Sequence, residues 1–154
     1  MRALRLGPAC FALAVVLATA GCDVVGPSDK DKQDVVKQAA TACNDLNDRL
    51  AKLVRPIELS ETAIFYEQVA GYIDTTLEKL DAFDPPDADL PDWNEFYGGV
   101  RQQRDLIREA ADAALDGRQK KVNEAERELG PIHARTGLAA DKYGIEAECI
   151  KLPT

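Results

Sequence analysis

The 154-residue sequence predicts an all-α fold: an up-down four-helix bundle with a C-terminal tail stapled to helix 1. Three observations carry this expectation. Apolar residues recur at three- and four-residue steps in four successive segments, which gives each segment one apolar helix face. Breaker clusters at Arg55-Pro56, Asp84-Pro85-Pro86 and Asp116-Gly117 separate the segments. No stretch sustains the alternation of apolar and polar residues that a half-buried strand requires.

The first segment opens at Ser28-Asp29-Lys30-Asp31, which matches a capping box with an acid at the third position. Val35, Ala39, Cys43, Leu46, Leu50 and Leu53 then share one face, and Arg55-Pro56 ends the run. In the second segment Ser60 is the expected N-cap, with Leu59 and Ile64 spaced as a hydrophobic staple. Its stripe is Tyr66, Val69, Ile73, Leu77 and Leu80, with Phe65 and Tyr72 at the margin. Asp89 is placed to cap the third helix, with Pro91 in its first turn. Trp93, Phe96, Val100, Ile107, Ala111 and Ala114 line that helix, and Gly98-Gly99 either kinks it or admits a close neighbour. The fourth stripe is Val122, Ala125, Leu129, Ile132, Ala139 and Tyr143, with Gly130-Pro131 expected to bend or split it. Tyr143-Gly144-Ile145 reads as a C-terminal stop. Short links between four such helices favour antiparallel neighbours.

Residues 1–21 carry Arg2 and Arg5, no acid, and an apolar run from Ala9 to Ala20. That run falls short of the ~20 apolar residues of a bilayer span and has the pattern of a secretory signal. Thr19-Ala20-Gly21-Cys22 resembles the lipobox of bacterial lipoproteins, departing from it at Thr19, where Leu is usual. The resemblance implies cleavage before Cys22 and acylation of its thiol, palmitate included. Two or three acyl chains, at ~0.8 kcal/mol per buried CH2, hold a protein stably on a bilayer. The expected organisation is a lipoprotein signal peptide over 1–21, a lipidated N-terminus and tether over 22–29, and a helical bundle domain over 30–154. The expected location is the extracytoplasmic face of the bacterial cell membrane.

Cleavage discards Cys10 and acylation occupies Cys22, leaving Cys43 and Cys149 in a compartment where disulfides persist. One intramolecular pairing is then possible. Closing a loop of about 100 residues contributes ~4.7 kcal/mol in the chain-entropy model. A metal pair or a redox pair is the alternative, without the Cys-x-x-Cys spacing or neighbouring His that favours either. Geometry agrees with the staple. Cys43 lies about twelve residues into helix 1, or ~18 Å along its axis, and an extended Gly144–Cys149 segment reaches ~16–18 Å. The tail can therefore turn at Gly144 and run back along helix 1.

Ala39-Ala40-Thr41-Ala42-Cys43, Pro85-Pro86, Asp116-Gly117 and the Gly144 to Cys149 ending together resemble a loose group of small all-helical lipoproteins of actinobacterial type. The resemblance spans most of residues 30–150 and implies the same bundle and staple. The group carries no established activity to transfer.

The charge excludes some functions. There are 19 basic and 27 acidic residues, a formal −8, and loss of the signal deepens this to −10 by removing two Arg. Nucleic-acid binding needs clustered Lys and Arg, so no nucleic-acid partner is expected. His133 is the sole histidine, so zinc and haem lack their usual ligand sets and no cofactor is expected. No phosphate loop, nucleophile elbow or dinucleotide fingerprint is present. Asp84, Asp87, Asp89 and Asp92 are weak calcium candidates without EF-hand spacing. Phe83, Trp93, Phe96 and Tyr97 should meet at one end of the bundle, either as core or as a cleft for a small apolar ligand. Arg101, Arg104, Lys120 and Lys121 are the main basic clusters, read as solvated faces.

The resulting expectation is a non-enzymatic, lipid-anchored binding or scaffolding module of the cell envelope. Its partners would be the membrane, through Cys22, and an envelope protein. The alternative is a lipoprotein that binds a small molecule or a divalent ion. Intact-mass measurement of the membrane-extracted protein should show a chain beginning at Cys22, carrying acyl groups and lacking two protons. An unacylated chain, or one that retains residues 1–21, would remove the anchor from this account.

Overall fold

The structure is a computed structural model that describes residues 27–146 and 148–152. The expected signal, the acylation site Cys22 and residues 23–26 of the tether lie outside the described residues. Four helices follow in order: α1 (Pro27–Leu50), α2 (Leu59–Asp81), α3 (Leu90–Leu115) and α4 (Gln119–Tyr143). A single 3-10 turn at Asp87–Asp89 leads into α3. No strand occurs among the described residues, and none of their helices is long and apolar enough to cross a membrane.

The helix α3 is the centre of the packing. It meets α4 most extensively and α2 next, whereas α1 packs more sparsely on α2. The predicted stripes point inward. Val35, Ala39, Cys43, Leu46 and Leu50 of α1 are buried, as are Tyr66, Val69, Ile73, Leu77 and Leu80 of α2. Trp93, Phe96, Val100, Ile107, Ala111 and Ala114 of α3 join the same core with Val122, Ala125, Leu129, Ala139 and Tyr143 of α4. Leu53 and Ile132 are only half-buried.

Several expected boundaries move. Helix α1 already includes Pro27, the first described residue, so Ser28 stands within the helix rather than capping it. The helix ends at Leu50, and a further turn of backbone bonds, including Leu53 N–H to Leu50 O at 3.0 Å, carries the chain toward Pro56. Helix α2 starts at Leu59, with Glu58 as its N-cap and no side-chain cap. Ser60 is therefore inside the helix, and Ile64 is 59% exposed, so the expected staple with Leu59 is not made. Asp89 does precede α3, but its side chain makes no cap bond; it takes the Lys32 ammonium at 2.8 Å instead.

Pro131 does not split α4, which is assigned as helix without interruption from Gln119 to Tyr143. Gly130 before it has no Cβ and so eases one of the clashes a proline makes, while the helix forgoes the backbone hydrogen bond that Pro131 cannot donate. Both ends of α4 use glycine in the left-handed region. Gly117, at φ 70°, closes α3: Gly117 N–H bonds Ala114 O at 3.0 Å and Arg118 N–H bonds Ala113 O at 2.8 Å. Gly144, at φ 100°, does the same for α4, with Ile145 N–H on Ala140 O at 2.8 Å. Ile145 then tucks into the core.

Of the Gly98-Gly99 pair, only Gly99 sits against a neighbour. A Cβ there would lie 2.3 Å from Thr136 Oγ1 and 3.0 Å from Thr136 Cβ, whereas one at Gly98 would meet nothing within 4 Å. Helix α3 runs unbroken through both, so the pair marks a close approach by α4 and not a kink. Gly99→Ala should lower unfolding stability by about 1–3 kcal/mol through overpacking. Gly98→Ala should raise it by about 1 kcal/mol through helix propensity. Urea titration of the two variants checks the contrast, and equal effects would place the close approach elsewhere.

Candidate functional site

The most organised feature outside the helices is the tail. From Gly144 it turns back and runs along α1: Val36 Cγ2 is the atom nearest a Cβ built on Gly144, at 3.8 Å. Further on, Cys149 is disulfide-bonded to Cys43, 106 residues away in sequence. The expected staple is present and both its cysteines are buried. One turn beyond Cys43, Asn47 holds the tail backbone at two points. Its Nδ2 donates to Glu148 O, and its Oδ1 accepts from Lys151 N–H at 2.8 Å. Ile145 and Ile150 are also buried, so the tail is part of the core.

The other side of the tail meets α4. His133 Nε2 lies 2.6 Å from Glu148 Oε1, and His133 Nδ1 lies 3.0 Å from Gln103 Oε1 on α3. Gln103, only 2% exposed, is oriented by its own Nε2, which donates to Gly99 O at 3.4 Å. Both ring nitrogens therefore lie within hydrogen-bond distance of side-chain oxygens. Beside this network is a cleft of about 250 Å³ between α3, α4 and the tail. Ile107, Leu129, Ile150 and Leu152 give it an apolar floor and wall, and Gln103, His133, Glu148 and Lys151 give it polar edges.

Comparison with protein-family models, curated proteins and solved structures finds no match to this chain. The reading of the site therefore rests on its geometry.

Three of the four expected aromatics do meet. Trp93 stacks at a tilt on Phe83 at 6.3 Å and on Phe96 at 5.7 Å, and Tyr143 adds a fourth ring 5.3 Å from Trp93. Trp93 and Phe96 are 5% and 0% exposed, so this end of the bundle is filled by its own rings. Tyr97 stands at the edge, with its hydroxyl 3.3 Å from Asp81 and its ring under the Arg101 guanidinium. The acids of the α2–α3 loop do not converge. Asp89 pairs with Lys32 and Asp92 with Lys142 at 2.6 Å, while Asp84 and Asp87 are exposed. No group of three potential metal ligands exists among the described residues. Arg104 is held by Asp74 at 2.6 Å and Asp105 at 2.7 Å, and Lys121 by Glu124 at 2.8 Å.

Asn47, Gln103 and the His133–Glu148 pair are not reached by helical periodicity. A signal for two of them exists. Asn47 follows Cys43 by four residues, which puts it on the same side of α1 as the cysteine. Gln103 occupies the core-facing step between Val100 and Ile107, where an unpartnered amide would be costly.

Tyr143 leaves a separate trace. Its buried hydroxyl has no hydrogen-bond partner among the described residues. Burial, with Asp89 nearby, pushes its pKa from 10.0 up to about 12. A folded-state pKa above the unfolded one means this stabilisation is complete below pH 10 and is lost as pH rises through 12. Tyr66 is raised as well, by burial and by its bond to Glu126. Tyr143→Phe should therefore flatten, without abolishing, the loss of stability between about pH 10 and 12. At pH 7 it should cost less than about 1 kcal/mol, because no hydrogen bond is removed. Chemical unfolding across that pH range checks both halves; an unchanged alkaline slope would mean that Tyr143 titrates normally.

Proposed function

We propose that this chain is a lipid-anchored helical bundle on the extracytoplasmic face of the bacterial cell membrane. It works there as a non-enzymatic binding or scaffolding module of the envelope. The lipobox-like Thr19-Ala20-Gly21-Cys22 supports the anchor. The observation that carries the binding role is the distribution of exposed apolar side chains.

Of the five exposed large apolar side chains among the described residues, Val54, Ile57, Ile64 and Leu115, at 87%, 100%, 59% and 73% exposed, lie toward one end, and only Leu138 of α4, at 70%, lies toward the other. Up-down topology puts the α1–α2 loop and the α3–α4 turn at the same end of the bundle. Contacts agree: Arg55 in the loop reaches Glu126 of α4 at 3.1 Å, and Tyr66 of α2 donates its hydroxyl to the same carboxylate. A groove there is lined by Arg55, Pro56, Ile57, Gln119 and Val122, among others. This end is one full helix length from Pro27, about 35 Å at 1.5 Å per residue. A body tethered by its N-terminus thus presents an apolar end away from the bilayer. Apolar side chains exposed singly are ordinary, but a group of them at one end marks an interaction surface.

A photo-crosslinking residue at Ile57, compared in cells with one at the exposed Glu78 of α2, tests the role. A recurrent crosslinked protein is expected from position 57 alone, and it should be lost on Val54→Asp with Leu115→Asp. Those exposed changes should alter stability by less than about 0.5 kcal/mol each. No recurrent product from position 57 across growth conditions would sink the scaffolding role.

A further inference from the structure

We propose that the cleft under the stapled tail is a binding site for a small amphiphilic carboxylate, a molecule with a short apolar body and one anionic head. Its volume of about 250 Å³ lies below the ~300 Å³ at which drug-sized sites begin, which limits the occupant to a short chain or a single ring. The body would lie on Leu129 and Ile150, both nearly buried, above the fully buried Ile107, with half-buried Leu152 as a wall. The tail backbone that forms this wall is fixed by the disulfide and by both Asn47 bonds. The cleft is thus largely pre-formed, which limits the ordering cost of binding.

The sign of the head group follows from the charges at the rim. Three side chains there can carry charge: His133, Glu148 and Lys151. Glu148 is engaged by His133 at 2.6 Å, and the other His133 nitrogen is engaged by Gln103 at 3.0 Å. Lys151 makes no ion pair among the described residues, and its backbone N–H is held by Asn47. The rim therefore carries one carboxylate already hydrogen-bonded to His133 and one ammonium that has no ion-pair partner among the described residues, on a fixed piece of backbone. An ammonium at the mouth of an apolar cleft selects a carboxylate over an amine or an alcohol.

Octanoate, octylamine and octanol, titrated into the full disulfide-intact chain, separate the body from the head. Binding is read from the methyl NMR signals of Leu129, Ile150 and Leu152. Octanoate should saturate these signals most tightly, with octylamine weakest. Lys151→Gln should weaken octanoate by about three- to fivefold, the range of an exposed ion pair, and leave octanol unchanged. Lys151→Glu should reverse the order of octanoate and octylamine. Leu152→Ala should weaken all three probes alike, and its retained helical signal would show that the fold persists. Octylamine binding as well as octanoate would overturn the assignment of the head group. Signals that move elsewhere than at the cleft, or no saturation by any probe, would overturn the site itself.

Discussion

The bond between Cys43 and Cys149 decides where α1 sits. Helix α3 is clasped along its length by α2 and α4, but among the helices α1 leans chiefly on α2, and with fewer close approaches. The middle of its apolar stripe is built from small residues, Ala39, Ala42 and Cys43, which bury little area. A returning tail supplies the missing neighbour. Ile145 and Ile150 bring buried aliphatic side chains, each a contribution of about 1.5–3 kcal/mol. Asn47 satisfies a carbonyl and an amide of a segment that has no secondary structure of its own. Without those partners the buried part of the tail would leave polar backbone groups unpaired. The covalent bond lowers the entropy of the unfolded chain and so lets these modest contacts hold.

The rest of the bundle is held by packing, with ion pairs as a secondary layer. The close approach of Thr136 to Gly99 draws α4 onto α3. Asp74 of α2 receives Arg104 at 2.6 Å and Arg108 at 2.5 Å from α3, and Lys79 of α2 reaches Asp45 of α1 at 3.1 Å. Most of these groups are substantially exposed, and such pairs contribute about 0–1 kcal/mol each. Their arrangement orients neighbours more than it stabilises them. At the opposite pole from the apolar end, Lys32 gathers three elements: its ammonium binds Asp89 before α3 and lies 5.0 Å above the Tyr143 ring of α4.

The helices and the staple are legible in the sequence because both rest on local rules. Periodicity places Val69, Ile73 and Leu77, or Phe96, Val100 and Ile107, on one side of a helix whatever surrounds them. Cysteine counting leaves one pair if Cys10 goes with the expected signal and Cys22 is acylated, and Gly144 marks the turn that lets the pair close. Helix starts are less legible: Ser28 and Ser60 have capping chemistry, but both lie inside their helices and Glu58 takes the N-cap of α2, and a propensity of about 1 kcal/mol is easily outweighed by packing. Pro131 reads as a break, whereas α4 runs through it with Gly130 easing only one of its clashes. The cleft is not legible, since it needs α3, α4 and the tail at once. Asn47, Gln103, His133 and Glu148 are far apart in sequence and come together only through the path of the tail. The aromatic cluster is legible as a meeting of rings, and Tyr143 joins it from a helix whose register only the fold reveals.

The position of the staple has a consequence for how the molecule breaks. Cys43 and Cys149 enclose α2, α3, α4 and the last part of α1 in one covalent ring. A single backbone cut in the exposed α1–α2 loop, in the Pro85-Pro86 segment or at Gly117 opens that ring without dividing it. The two new ends stay attached to one another through sulfur, and both stay attached to α1. A copy nicked by a protease would keep all its helices on one molecule until the disulfide was reduced as well.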